Sequence, residues 1–360
     1  MQHRQPKGPT IQDVASRAGV SIATVSRVLN NTDYPVSPHV RKSVMQAARD
    51  LHYTPNLLGR MLQSNSNTAI GVIVPTLQNP FFNQVILGVE SAARKRDYEV
   101  IIYSSHRSVA QERKNILSLL QKRVMGLLIV SIDSHPTALE QYMEYGGRVA
   151  LLESDFKLSA CILAQTDYFS AGTIAAQYLA DRGHRRIAFL TAPITKFSRQ
   201  QILAGIQDAL RRAEIPFSEA DIFVANTEAE SDTGMYEFEL GRQLVDQLLQ
   251  RREPYSAIIA INDITAFGVI QALNQYGISI PGQMSVIGFD NITYSGMLSP
   301  PLTTVALPSS SMGSAACQML IDALNKEGDV PPQVSFSFPC YLEERQSVRE
   351  IPGKQHPFHS

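Results

Sequence analysis

The sequence predicts a small all-α headpiece followed by an α/β body of two doubly wound parallel-sheet subdomains. Three observations predict it: a basic N-terminal segment with helical periodicity, a polar linker, and strand-length apolar runs that alternate with helix-length amphipathic segments. A chain of 360 residues is also too long for one compact core. We place the headpiece at residues 1–54, a hinge helix and linker at 55–67, the body at 68–345 and a tail at 346–360.

Residues 10–31 are predicted to form two short helices joined by a tight turn. Thr10 and Asp13 form a capping-box pattern that can start the first helix, and Gly19 can end it. Ser21 can cap the second helix. The apolar sides of the two helices consist of Val14, Ala15 and Ala18, and of Val25, Val28 and Leu29.

The outward side of the second helix is small and cationic. Ala23 and Arg27 are four residues apart, so they are neighbours opposite the apolar stripe. Such a face suits the major groove of DNA, where a helix-turn-helix presents early residues of its second helix to the bases. An ordinary helical hairpin with one solvated arginine would show the same pattern, so the spacing alone leaves both interpretations open.

A third helix closes the headpiece. Ser37 followed by Pro38 is typical of an N-cap with proline at the first helical position. Its predicted buried stripe consists of Val40, Val44, Ala47, Ala48 and Leu51.

Charge is distributed unevenly along the chain. Residues 1–63 hold eight lysines and arginines against three acids, a net charge of +5, and the remainder carries −6. A basic head on an acidic body favours polyanion binding by the head, although a short segment can show such an imbalance by chance.

The three cysteines, Cys161, Cys317 and Cys340, are far apart and show neither a disulfide framework nor zinc-ligand spacing. The N-terminus lacks an apolar signal segment, and no apolar run approaches membrane-spanning length. We therefore expect a cytoplasmic protein without membrane contact, cofactor or metal.

The body shows the alternation of a parallel sheet covered on both faces. Strands are predicted at 69–74, 100–103, 126–130, 149–152, 187–190, 257–261 and 286–289. Helices are predicted at 82–96, 110–123, 137–145, 171–182, 201–213 and 265–276. The alternation of strands and helices restarts after Asp167, so two successive halves explain the pattern most simply. Such folds bind ligands in a cleft at the carboxyl ends of their strands.

Several short segments of the sequence resemble the lactose/galactose-repressor (LacI/GalR) family of bacterial transcription regulators. They are DVASRAGVSIATVSRVLNN, GVIVPTLQNPFF, YLADRGHRRIAFL, AINDITAFGVIQAL, MSVIGFDN and LSPPLTTV, and the similarity runs from Thr10 to Ser347. It implies a body like the type I periplasmic sugar-binding proteins, with chain crossings near residues 165, 292 and 328. Ser309–Asn325 would return to the first subdomain as a helix, and Gln333–Phe338 would add a strand to the second.

The resemblance also implies a homodimeric repressor whose partners are near-palindromic operator DNA and a small-molecule effector, such as a sugar or related metabolite. Pro55–Leu62 would be a hinge helix in which Leu62 wedges into the minor groove. Gly59 departs from the usual alanine and weakens that helix by roughly 1 kcal/mol. The candidate DNA-binding residues are Thr10, Ser21, Ile22, Ala23, Thr24, Ser26, Arg27, Asn30, Asn56, Gly59, Arg60 and Leu62.

Polar and aromatic residues at strand ends are the candidate effector contacts. In family members, the loop that here holds Phe81 and Phe82 forms the floor of the effector pocket. Packing in the core is an equal alternative for Phe81. Asn262 and Asp290 each follow a strand and can hydrogen-bond a ligand, whereas we interpret Asp263 as a helix N-cap.

One departure from the family pattern affects the expected effector. Ile202 stands where relatives carry an arginine that forms two parallel hydrogen bonds with the effector. Lys196 or Arg199, with Ser198 nearby, would have to replace that arginine. Tyr236 maps to a position where relatives hold an aromatic ring against the ligand. Relatives also carry polar and aromatic groups where this chain has Leu307, Pro308 and Ser309, so the pocket is predicted to be more apolar than a sugar site.

Two other functions are weighed against a DNA-binding regulator. Residues 69–345 alone would permit a solute-binding protein without DNA function, but the basic headpiece argues against it. An enzyme with a DNA-binding head, such as a sugar kinase, is disfavoured because the chain has no P-loop, HExxH or GxSxG motif. No enzymatic activity is therefore expected.

Overall fold

The computed structural model describes residues 9–29, 36–51, 68–154, 158–225, 236–251, 253–325 and 334–352. The chain divides into two compact units, Met1–Asn67 and Thr68–Ser360.

The first unit contains three helices around a small apolar core. They are α1 (Ile11–Ala18), α2 (Ile22–Leu29) and α3 (Pro38–Asp50). Thr10 and Asp13 form the predicted capping box at the start of α1, and Gly19 ends that helix in the left-handed region, with φ of 66°. The buried core comprises Val14, Ala15, Val25, Val28, Val44, Ala47 and Ala48. The predicted helix-turn-helix and third helix are therefore confirmed.

The second unit alternates strands with helices. The strands are β1 (Ala69–Val74), β2 (Glu99–Ser104), β3 (Gly126–Ile129), β4 (Arg148–Leu152), β5 (Ile162–Thr166), β6 (Ile187–Thr191), β7 (Ile222–Val224), β8 (Ala257–Ala260), β9 (Ser285–Asp290), β10 (Thr303–Ala306), β11 (Val334–Phe338) and β12 (Tyr341–Glu343). The helices are α4 (Pro80–Arg94), α5 (Val109–Gln121), α6 (Thr137–Glu144), α7 (Tyr168–Asp181), α8 (Phe197–Arg212), α9 (Tyr236–Gln250), α10 (Asp263–Gln275) and α11 (Ser309–Asn325).

Two six-stranded sheets define the two subdomains. The first has the order β11-β5-β4-β3-β1-β2, and all of its pairs are parallel. The second has the order β12-β10-β9-β8-β6-β7, parallel except for the antiparallel pair β10–β12. Every residue of β1, β3, β6 and β8 is buried, as expected for strands covered on both faces. The predicted pair of doubly wound halves is confirmed.

The route of the chain between the subdomains differs from the expectation. The predicted strand at Gln333–Phe338 joins the first sheet, because β11 pairs in parallel with β5, and only β12 returns to the second. The crossings therefore lie between β5 and α7, between β10 and α11, and between β11 and β12. The prediction near 292 was wrong because β10 still pairs with β9 in the second sheet. The prediction near 328 was wrong because both sheets offer an edge to a short strand and the composition of β11 does not select one.

The predicted tail boundary at residue 346 was also wrong. Ser347 is fully buried, and its backbone carbonyl accepts a hydrogen bond of 2.9 Å from the backbone N–H of Val286 in β9. The Ile351 N–H donates to the Arg182 carbonyl over 2.8 Å. The described residues after β12 are therefore part of the second subdomain.

Glycines allow α7 and α8 to approach closely. A Cβ on Gly172 would lie 2.1 Å from the carbonyl oxygen of Ile202, and one on Gly205 would lie 2.1 Å from that of Phe169. Both distances are too short for any side chain, so this pair of glycines fixes the position of α8, whose first turn faces the cleft.

Candidate functional sites

The outer face of α2 is the candidate nucleic-acid surface of the headpiece. Ile22 is 45% exposed, Ala23 and Arg27 are exposed, and Val25 and Val28 are buried on the opposite side. The helix therefore presents one isoleucine, one alanine and one arginine on its outer face.

Hydrogen bonds at the helix starts hold the candidates Thr10, Ser21 and Thr24. The Ser21 Oγ accepts from the Thr24 N–H over 3.2 Å, and the Thr10 hydroxyl donates to an Asp13 carboxylate oxygen over 2.7 Å. Ser26 is half-buried. The candidates Asn30, Asn56, Gly59, Arg60 and Leu62, and with them the predicted hinge helix, lie outside the described residues.

A cavity of about 220 Å³ lies in the body, between the carboxyl ends of the strands of the two sheets. Eight of the predicted effector residues line it: Phe81, Phe82, Lys196, Ser198, Arg199, Ile202, Asn262 and Asp290. Residues that were not predicted also line it, among them Arg107, Asp133, Glu153, Ser154, Tyr168 and Glu237.

Two phenylalanines form one wall of the cavity. The Phe81 and Phe82 rings meet edge to face, with centroids 5.4 Å apart at 79°. Asn79 starts α4 by accepting a hydrogen bond from the Phe81 N–H over 3.0 Å, which places both rings at the strand end. Phe81 is 7% exposed, so it serves both the core and the cavity surface.

One carboxyl group from each subdomain faces the cavity. Glu153 follows β4 and Asp290 ends β9, and both have positive φ, 57° and 107°. Such backbone strain in a residue other than glycine often accompanies a functional site. Glu153 Oε1 accepts from the Thr166 hydroxyl over 2.7 Å, and burial raises the pKa of Glu153 to about 7. Burial, followed by the charge of Asp263, raises the pKa of Asp290 well above its usual value.

The roles predicted for Asn262 and Asp263 need correction. Asn262, not Asp263, is the N-cap of α10, since its Oδ1 accepts from the Thr265 N–H over 2.8 Å. Asp263 is fully buried and accepts hydrogen bonds from Ile292 N–H and from the hydroxyls of Ser295 and Thr304. It therefore secures the loop after β9, while Asn262 still lines the cavity.

The first turn of α8 forms the basic side of the cavity. Lys196 Nζ donates to the carbonyl of Ile132 over 3.2 Å, and Arg199 Nη1 donates to that of Pro193 over 2.8 Å. Ile202 is 3% exposed and contributes an apolar surface one turn further along.

An ion pair crosses the cleft beside the cavity. Arg107, which follows β2 in the first subdomain and has φ of 54°, pairs with Glu237 on α9 in the second; both side chains are 11% exposed. The prediction that Tyr236 lines the pocket is not supported, because its ring lies against the Arg107 guanidinium, 5.5 Å away, and the neighbouring Glu237 lines the cavity instead.

The sequence contained a signal for one of the missed residues. Glu153 directly follows the apolar run of β4, as Asp290 ends that of β9, so the rule that selected Asp290 also selects Glu153. Arg107 and Glu237 gave no such signal because they are 130 positions apart.

Within the described ranges, no group of three or more His, Cys, Asp or Glu side chains is arranged to hold a metal ion. None of the helices in those ranges combines the length and apolarity needed to span a bilayer.

Comparison with known proteins finds similarity over both units. The model of bacterial regulatory proteins of the lacI family matches residues 10–56, and that of the periplasmic binding protein-like domain matches residues 176–348. The HTH-type transcriptional repressor PurR of Edwardsiella ictaluri is 31% identical over 346 residues, which cover 95% of this chain and 98% of that protein. The ribose operon repressor of Escherichia coli is 32% identical, covering 88% and 93%. The structure of the lac repressor dimer bound to operator and the anti-inducer ONPF aligns with a TM-score of 0.78 and 25% identity, covering 95% of this chain and all of that one (100%).

Proposed function

Because the chain belongs to the lacI family of bacterial regulatory proteins, it is a DNA-binding transcriptional regulator, and we propose that it is a homodimeric repressor of the cytoplasm. Its operator would be near-palindromic, since two headpieces related by a two-fold axis read two half-sites. The family match at residues 10–56 favours this function over a solute-binding protein without DNA contact.

The exposed face of α2 is the single observation that best supports DNA reading. Ile22, Ala23 and Arg27 point away from the buried side of the helix and would enter the major groove. Arg27 is the candidate for reading a guanine, a contact worth roughly 1–3 kcal/mol of discrimination. The other lysines and arginines of the headpiece would bind phosphates, which makes affinity fall as salt rises.

The cavity between the subdomains is the proposed effector site. A ligand there contacts residues of both subdomains, so it binds best at one degree of closure and shifts the population toward that state. By linkage, the effector and the operator then alter each other's affinity by the same factor.

The Arg27→Ala variant tests the DNA-reading assignment. Using a duplex enriched by the full-length protein from a random pool, we expect the variant to lose its preference over scrambled DNA and to keep its effector affinity. Arg49→Ala, which removes an exposed arginine on α3, is the matched control and should lower affinity for both duplexes while retaining the preference. Operator affinity of Arg27→Ala equal to that of the unaltered protein in a gel-shift titration would refute the role of Arg27.

A further inference from the structure

One end of the cavity holds buried oxygens whose hydrogen-bonding capacity is not filled by the protein. The Tyr168 hydroxyl faces the Glu153 carboxyl, but Glu153 Oε2 has no partner at normal hydrogen-bond geometry among the described residues. The Ser154 hydroxyl is 5% exposed and makes no hydrogen bond there either. Within the same ranges, the Asp290 carboxyl also makes none. A buried polar group left unsatisfied costs about 1–3 kcal/mol, so this end is suited to accept hydrogen bonds from O–H or N–H groups of a ligand.

The first turn of α8 forms a cationic end of the same cavity. Lys196, Ser198 and Arg199 all line it. Lys196 is also the N-cap of this 16-residue helix and makes no side-chain capping bond, so its side chain satisfies none of the first backbone N–H groups. Helix N-termini favour anions, and two cationic side chains here add to that preference.

Two ion pairs lie around the cavity. Arg107 is balanced by Glu237, and Asp133 is bound by Arg113 over 2.7 Å. The carboxyl end carries less negative charge than its composition suggests, because burial raises the pKa of both Glu153 and Asp290. The groups that face these two carboxyls are Tyr168, Glu237, Asp263 and Cys340. Positive charge is therefore concentrated at the end of the cavity formed by the first turn of α8.

The size and the apolar walls limit the ligand further. A cavity of about 220 Å³ is smaller than the roughly 300–1,000 Å³ typical of sites for drug-sized ligands. Ile202, Leu307 and the two phenylalanines cover the surface between the polar ends. The space suits a molecule of monosaccharide size with charged or polar groups at its ends.

We propose that the effector is a small organic anion, a carboxylate or phosphate, that also carries hydroxyl or amino donors, and not an uncharged sugar. Its anionic group would lie against Lys196, Arg199 and the start of α8, and its donors against Glu153, Ser154 and Asp290. This inference rests on the proposed regulator function and specifies the chemistry of its effector site.

Matched ligand pairs test the proposal on the full-length protein. Melting temperature and calorimetric affinity are compared for gluconate against glucose, ribose 5-phosphate against ribose, and glucosamine 6-phosphate against glucosamine. We expect at least one anion to raise the melting temperature and to bind at least tenfold more tightly than its partner that lacks the anionic group. The three pairs separate carboxylate from phosphate and hydroxyl from amino donors. Equal or tighter binding of the partners that lack the anionic group, or no stabilisation by any anion, overturns the proposal.

Two substitutions test the two ends of the cavity separately. Lys196→Gln removes the charge but keeps an N–H donor for the Ile132 carbonyl, and should weaken anion binding at least tenfold without affecting the partner that lacks the anionic group. Lys122→Gln, a lysine outside the cavity lining, should change neither. Glu153→Gln should weaken both members of a pair because both use the donor end. If Lys196→Gln leaves anion binding unchanged, or weakens both members equally, the assignment of the anionic end is wrong.

Operator binding in the same preparations separates failure of the effector proposal from failure of the proposed regulator function. Selective operator binding together with a preference for the ligands that lack the anionic group defeats only the effector proposal. Loss of any operator preference in the unaltered protein defeats the proposed function itself.

Discussion

Lys196 Nζ lies 3.2 Å from the carbonyl oxygen of Ile132, so a side chain of the second subdomain holds the backbone of the first. Arg107 makes the reciprocal contact when it reaches from the first subdomain to Glu237 in the second. One cation from each subdomain therefore bridges the cleft, and these contacts favour its closed form.

Breaking the Arg107–Glu237 pair should open the cleft. Both side chains are 11% exposed, so Arg107→Met leaves a buried carboxylate without its partner, a loss of roughly 3–5 kcal/mol in comparable buried pairs. We expect a larger radius of gyration in solution scattering and lower stability in urea. Arg96→Met removes a pair with Asp322 whose side chains are 48% and 51% exposed, and should cost no more than about 1 kcal/mol. An unchanged radius in Arg107→Met would argue against a bridging role.

Gly288 in β9 has no room for a side chain. A Cβ there would lie 2.3 Å from Asp263 Oδ1, and Asp263 is held by three hydrogen bonds. Gly288→Ala should therefore destabilise the body by about 1–3 kcal/mol in urea unfolding. Gly296→Ala is the control, since its nearest atom is the Arg345 Nε at 3.7 Å, and it should stay within about 0.5 kcal/mol. Similar stability of the two variants would show that the hydrogen bonds of Asp263 rearrange around the added methyl group at little cost.

Buried His184 should make the protein sensitive to acid. Burial lowers its pKa from 6.5 to about 4, and its ring contacts the Ser256 hydroxyl and the Arg349 carbonyl. The unfolded chain takes up a proton below pH 6.5 and the folded one does not, so this contribution is complete above pH 6.5 and is lost as pH falls toward 4. It amounts to about 3 kcal/mol. Urea titrations at several pH values should show a shallower loss over this range in His184→Asn, and parallel curves would contradict the assignment.

The capping box should control the stability of α1. Thr10→Ala removes the side-chain oxygen that accepts from the Asp13 N–H over 3.3 Å, a loss of about 1 kcal/mol. Hydrogen exchange of the α1 amides in the full-length protein should accelerate roughly fivefold as a result. Ser16→Ala, an exposed position in the same helix, should not accelerate it. Equal exchange in the two variants would mean that tertiary packing, and not the cap, holds this helix end.

Local signals in the sequence predicted most of the headpiece and the rhythm of the body. The Thr10–Asp13 spacing and the left-handed Gly19 are decided by interactions within one helical turn, so they can be read from neighbouring residues. The same holds for the apolar runs of the central strands. The helix α9 and the strands β5, β7, β10 and β12 were not predicted. Three of these strands are too short for a clear periodic signal, because β7 and β12 span three residues and β10 four.

Features that depend on distant partners could not be predicted. The destination of β11 is decided by its pairing with β5, more than 150 positions earlier in the chain. The exchange of roles between Asn262 and Asp263 depends on Ser295 and Thr304, which follow in a later loop. Both carboxamide and carboxylate groups suit an N-cap, so only the tertiary partners of Asp263 decide between them.

Sequence-specific operator binding can be measured by selecting sites from a pool of random duplexes and titrating the selected duplex against a scrambled one at several salt concentrations. We expect a near-palindromic selected sequence that the full-length protein prefers by at least about a thousandfold. We also expect the affinities for both duplexes to fall as salt rises. Equal affinity for selected and scrambled DNA at every salt concentration would contradict sequence-specific DNA binding by this protein.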